Sequence, residues 1–119
     1  MASRKHKEIC ELLRREISNI ILCEVKDPRV GFVTVTRVVL AGDRRTAKVY
    51  FTARGSEEDT DTSMNALQHA RGHIQGLVGD RLKLRFTPVL YFVEDKELRD
   101  ALRVDRLIEQ VRTEDTEQS

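Results

Sequence analysis

Tryptophan is absent from the 119 residues, and cysteine occurs only twice, at Cys10 and Cys23. Both thiols fall in one predicted helix, which at 1.5 Å per residue sets their backbones roughly 20 Å apart. A disulfide needs Cα atoms within about 7 Å. The two cannot bridge each other in a straight helix, and they read as reduced thiols, consistent with a cytosolic protein. No apolar run approaches the ~20 residues that cross a bilayer. The opening Met1-Ala2-Ser3-Arg4-Lys5-His6-Lys7 has no apolar stretch behind its charges, so it does not read as a secretory signal. The expected compartment is the cytoplasm, with no membrane contact.

The short motifs of common catalysis are missing too. There is no Walker loop, no G-x-G-x-x-G after a strand, no G-x-S-x-G and no paired-cysteine zinc pattern. His69 and His73 have the i,i+4 spacing of a metal pair, but Gly72 lies between them and no carboxylate or thiol has a matching spacing. Cys10 falls on an apolar helix side, where a small buried thiol is the ordinary reading. The acids between Glu57 and Asp61 suit a helix start without a cation. No metal, cofactor or catalytic residue is expected, and the chain does not read as an enzyme.

What is present fits one domain. At this length folding buries roughly 65% of the unfolded surface, enough for a core without staples. Charge is nearly balanced at +1 but unevenly placed. Residues 94–119 hold nine acids and five bases, while residues 1–93 hold sixteen bases and eleven acids. A basic body with an acidic tail is compatible with nucleic-acid binding.

Hydrophobic periodicity predicts the elements. Ile9, Leu13, Ile17 and Ile20 form a helical stripe from about Ser3 to Glu24, with Cys10 and Ile21 on the same side and Ser3 as N-cap. Arg4, Lys7, Arg14 and Arg15 fall away from it, as does Leu22. Pro28 disfavours helix at Asp27. The β-branched run from Phe32 to Leu40 reads as a strand whose alternation blurs at Arg37, as a bulge would make it. After a turn at residues 41–45, Ala47, Val49, Phe51 and Ala53 alternate toward the core, giving an antiparallel hairpin. Met64, Leu67, Ile74, Leu77 and Val78 continue helical spacing to Leu82. Glycines at 72, 76 and 79 each cost ~1 kcal/mol in a helix, so a kink or two shorter helices is expected, with close packing at Gly72. Val89-Leu90-Tyr91-Phe92-Val93 is nearly all apolar and reads as a strand buried on both faces. A last helix is expected over 97–111 and a disordered acidic tail over 113–119.

The order α–β–β–α–α–β with a closing helix implies an α+β domain, a three-stranded sheet covered by helices on one face. Three features remain without a structural role of their own: Ala70-Arg71-Gly72 at the expected break, the 26–31 turn with Arg29, and the basic run Arg81, Lys83 and Arg85.

Taken together, in order, these features resemble a known family. Asp27-Pro28-Arg29-Val30-Gly31-Phe32-Val33-Thr34-Val35-Thr36, Ala47-Lys48-Val49-Tyr50 and Arg81-Leu82-Lys83-Leu84-Arg85-Phe86-Thr87-Pro88-Val89-Leu90 are similar to the signature segments of ribosome-binding factor A. The resemblance spans about Arg4 to Ile108. It implies a type II KH-like domain over 1–112, α-β-β-α-kink-α-β, in which an Ala-x-Gly kink, here Ala70-Arg71-Gly72, replaces the usual glycine-rich loop. It also implies a monomer that binds the immature 30S subunit at 16S ribosomal RNA near its 5′ end. The implied role is late maturation, including 16S processing and growth in the cold. The runner-up is a general KH-like single-strand RNA binder. The candidate RNA-binding residues are Arg4, Lys5, Lys7, Arg14, Arg15, Arg29, Ala70, Arg71, Gly72, Arg81, Lys83 and Arg85. Arg71 would stand near helix-start amides that favour phosphate.

Overall fold

The computed structural model describes residues 4–30 and 32–101. Helix α1 runs Arg4–Cys23 and buries Leu13, Ile17, Ile20 and Ile21, the predicted stripe. Ile9 and Cys10 pack at its margin, and Leu22 points into solvent. The expected cap at Ser3 lies outside the described residues. Past the helix, the Asp27 carboxylate accepts the Arg29 N–H at 3.0 Å and Val30 N–H donates to Asp27 O. These bonds close a single 3₁₀ turn, Pro28–Val30.

Strands β1, Val33–Leu40, and β2, Thr46–Ala53, pair antiparallel. The register shifts between Val35 and Arg37, leaving Thr36 as the extra residue of a bulge. That one residue resets the phase. Val35 and Val38 both face the core, where unbroken alternation would have put Arg37 and Val39 inside. The turn closes with Ala41 N–H on Thr46 O and Arg44 N–H on Ala41 O, and Arg44 takes φ 60°.

Helix α2 spans Glu57–Leu82. Ser56 caps it: its hydroxyl accepts the Asp59 N–H at 3.2 Å while the Asp59 carboxylate accepts the Ser56 N–H at 2.9 Å. The expected division into two shorter helices does not occur; α2 is one helix through all three glycines. Burial of Ala66, Leu67, Ile74 and Val78 on both sides of Gly72 outweighs ~1 kcal/mol of propensity per glycine. Lys83 ends α2 in the left-handed region at φ 49°, donating its N–H to Gly79 O.

Strand β3, Val89–Glu94, runs parallel to β2 and completes the order β1-β2-β3. It is an edge strand with one open face, not a strand buried on both. Leu90 and Phe92 are buried, whereas Tyr91 is 46% exposed. Helices α1 and α2 pack together on the same side of the sheet, so the apolar composition of β3 exceeds what that side can bury. Gln75 of α2 caps part of the free edge by accepting the Leu90 N–H at 3.2 Å. A further helix begins at residue 96 and is described to 101. Asp95 caps it, accepting the Leu98 N–H at 3.2 Å. Its course from 102, and the tail at 113–119, lie outside the described residues.

Candidate nucleic-acid interface

The bases singled out from the sequence divide by what holds them. Arg14 donates two hydrogen bonds to Glu11, the shorter 2.6 Å, and Arg15 reaches the same carboxylate. Arg4 lies 3.3 Å from Glu8. Arg29 chelates Asp27 through Nε and Nη2, which lowers the Asp27 pKa to about 2. Arg81 donates to Glu16 at 3.1 Å and Glu24 at 2.9 Å, fastening the last turn of α2 to α1. These guanidiniums are partly neutralised, and Arg81 is a tether between helices. Lys5, Lys7, Lys83, Arg71 and Arg85 have no carboxylate partner among the described residues.

Nor do the candidates share one face. Arg29 sits over the N-terminal half of α2, where Ser63 Oγ donates to its carbonyl. Arg71 leans toward the edge strand, 5.9 Å from the Tyr91 ring. Arg85 follows α2 at the hairpin end of the sheet, 5.5 Å from the Phe86 ring.

Around Ala70-Arg71-Gly72 the close packing expected at Gly72 is absent. A Cβ placed at Gly72 or Gly76 meets nothing within 4 Å. At Gly79 the same atom would come 2.5 Å from Thr87 Oγ1, so only this glycine of α2 admits a close neighbour. Gly72, Gly76 and Gly79 lie within two turns on one side of α2. With Gln75, Asp80 and Thr87 they line an open groove of about 410 Å³. At Gly72 and Gly76, where no side chain stands, the groove lets a ligand backbone approach α2 closely, and Arg71, the neighbour of Gly72 in sequence, has no carboxylate partner among the described residues.

Sequence reasoning missed three groups. Arg44 and Arg45 read only as turn residues, yet they border a cavity of about 680 Å³. On the open sheet face Arg37 stacks over Tyr50 at 4.0 Å. Asp95 is buried and ties the bulge to the helix at 96: Thr36 Oγ1 donates to it at 2.7 Å. That hydrogen bond chiefly holds its carboxyl below the ordinary aspartate range. The adjacent arginines of the turn were the one visible signal for the first group.

His69 and His73 are both exposed. Among the described residues no three His, Cys, Asp or Glu side chains converge as a metal site, and no helix is long and apolar enough to cross a membrane.

A family model described as ribosome-binding factor A matches residues 5–108. The ribosome-binding factor A of Carboxydothermus hydrogenoformans is 43% identical over 114 residues, covering 96% of this chain and 91% of that one. The crystal structure of ribosome-binding factor A from Thermus thermophilus superposes with a TM-score of 0.67 at 27% identity, over 75% of this chain and 94% of that one. A homology model of the Thermus thermophilus factor, fitted into a cryo-EM map of a 30S complex, matches with a TM-score of 0.60 at 28% identity. It covers 71% of this chain and 88% of that one. The KH-like α+β fold expected from the sequence is the one these relatives share.

Proposed function

The chain belongs to the ribosome-binding factor A family, and on that premise we propose that it binds the immature 30S subunit through RNA and assists late maturation. The contact proposed is 16S ribosomal RNA near its 5′ end, with 16S processing and growth in the cold as the processes served. The protein acts as a cytoplasmic monomer, by binding rather than turnover and without a cofactor. A relative fitted into a 30S complex supports the partner.

The observation that carries the site is the bare glycine face of α2 beside Arg71. An RNA backbone can lie against Gly72 and Gly76 because no Cβ stands there, and Arg71 supplies charge where phosphate would pass. A protein without the usual glycine-rich clamp can still hold RNA through contacts to phosphate and to the shape of its double-stranded parts. The work on the subunit follows from differential affinity: a ligand that binds one conformation of the RNA more tightly shifts the population toward it.

Co-sedimentation with small subunits tests this reading. The wild-type protein should associate, with log affinity falling linearly in log salt by roughly −0.7 per single-strand phosphate contact. Arg71→Glu should weaken association most at low salt. An affinity unchanged between low and physiological salt would sink the phosphate reading. Equal affinity for any unstructured RNA would instead favour a general single-strand RNA binder.

A further inference from the structure

We propose that the cavity at the hairpin end of the sheet captures one unstacked nucleobase of a single-stranded RNA segment, as a second contact separate from the α2 groove. The inference rests on the RNA-binding reading and adds a base-dependent site to it.

The cavity forms where three chain segments meet. Its apolar lining is Ile9 of α1, Leu40 at the end of β1 and Leu84 beyond α2, backed by the fully buried Leu13. The other side is the β1–β2 turn facing the 85–88 segment, held together by Val89 N–H donating to Arg45 O at 2.9 Å. Arg44, Arg45, Arg85 and Phe86 border the opening. At about 680 Å³ the space falls within the ~300–1,000 Å³ of small-ligand sites.

Among the described residues the arginines at this rim, like Arg71, lack the carboxylate partners that other arginines of the molecule hold. Arg14, Arg29, Arg81 and Arg99 each hold a carboxylate within 3.1 Å. Arg44, Arg45 and Arg85 hold none among the described residues. Asp43, the acid at this rim, spends a carboxylate oxygen on the Arg45 N–H at 3.0 Å. Lys5 lies one helical turn before Ile9 on the same side of α1. Phe86 is 74% exposed although it is among the largest apolar side chains.

An apolar floor, an exposed aromatic ring and several uncompensated guanidiniums suit a flat π-system flanked by phosphates. Bases splayed from single-stranded RNA are bound in this way, stacked on aromatic rings or guanidinium planes. A fatty chain would leave the arginines unused, and a bare anion would leave the apolar floor unused.

The test uses the full chain, oligouridylate, and the same oligomer carrying an abasic nucleotide at its centre, with wild type and Phe86→Ala compared. Phe86 is exposed, so its truncation leaves the core intact. Wild type should bind the intact strand more tightly than the abasic one. Phe86→Ala should lose about 5- to 150-fold on the intact strand, since a stacked base is worth roughly 1–3 kcal/mol. It should lose almost nothing on the abasic strand. In amide spectra Leu40, Leu84 and Arg45 should shift with the intact strand and not with the abasic one. Equal affinity of wild type for both strands overturns the base site while leaving RNA binding standing. No binding of either strand overturns the base site, and co-sedimentation with small subunits then decides separately whether the RNA-binding premise stands. Cavity shifts produced by an acidic peptide and not by RNA assign the site to protein and reject the nucleobase.

Discussion

Alanine at Gly72 and Gly76 should make α2 a better helix and the protein a poorer RNA binder. Each glycine sits inside the helix with φ in the ordinary range, and an added methyl meets nothing within 4 Å. The substitution therefore gains propensity without a clash, ~1 kcal/mol at each site. The double variant should gain about 2 kcal/mol. For a domain of this size ~1 kcal/mol moves the midpoint by roughly 4 °C, so thermal melts followed by circular dichroism should rise by about 8 °C. Gly79→Ala is the internal control. Its methyl would lie 2.5 Å from Thr87 Oγ1, and overpacking of about 1–3 kcal/mol offsets or exceeds the helical gain. Small-subunit binding by the Gly72/Gly76 double variant should fall, because two methyl groups now stand where the backbone of RNA approaches. A double variant that melts below wild type refutes the reading of an open helix face. One that melts higher and binds like wild type removes RNA from this groove.

Three further outcomes can be measured independently. Asp95→Ala removes a helix cap and the partner of Thr36, and should cost about 1–2 kcal/mol in urea titrations at pH 7. Because the folded carboxyl sits below the ordinary value of 3.8, its charge stabilises the fold above that pH. The stability lost in Asp95→Asn should therefore shrink as pH drops below 3.8 toward the folded value. Lys83→Gly relieves a left-handed non-glycine residue and should raise stability by ~1 kcal/mol; a lower melting midpoint would mean that its side chain packs. Lys7→Glu with Arg14→Glu should leave the fold intact apart from a few tenths of a kcal/mol as the new carboxylate at position 14 meets Glu11. It should reduce small-subunit association steeply at low salt and less at high salt. Lys48→Glu on the open sheet face should matter less, and the reverse order would place RNA on the sheet.

Much of the fold was legible because burial and period coincide. Leu13, Ile17 and Ile20 recur on one side of α1 and are all buried. The blurred alternation at Arg37 marked a real bulge, since a phase change leaves a trace in the order of apolar residues. Strand β3 misled because composition reports what a strand can bury. Whether a second layer covers it depends on where α1 and α2 pack. The glycines of α2 misled differently. Propensity predicted a kink or two shorter helices, and the second does not occur because Ile74 and Val78 anchor the helix beyond Gly72 through contacts distant in sequence. The site was less legible for the same reason. Arg81 looked like a free base until its partners, Glu16 and Glu24, came close from 65 and 57 positions away. Arg44 and Arg45 looked like connectors because their cavity exists only once α1 and the 84–88 segment fold beside the turn.

Whether RNA lies on α2 can be read by crosslinking the protein to RNA in cells and mapping both partners. Crosslinks should join Arg71 and the α2 groove to 16S ribosomal RNA near its 5′ end, recovered from immature small subunits. Crosslinks spread over unrelated RNAs, or confined to the open sheet face around Lys48 and Tyr50, would contradict this placement.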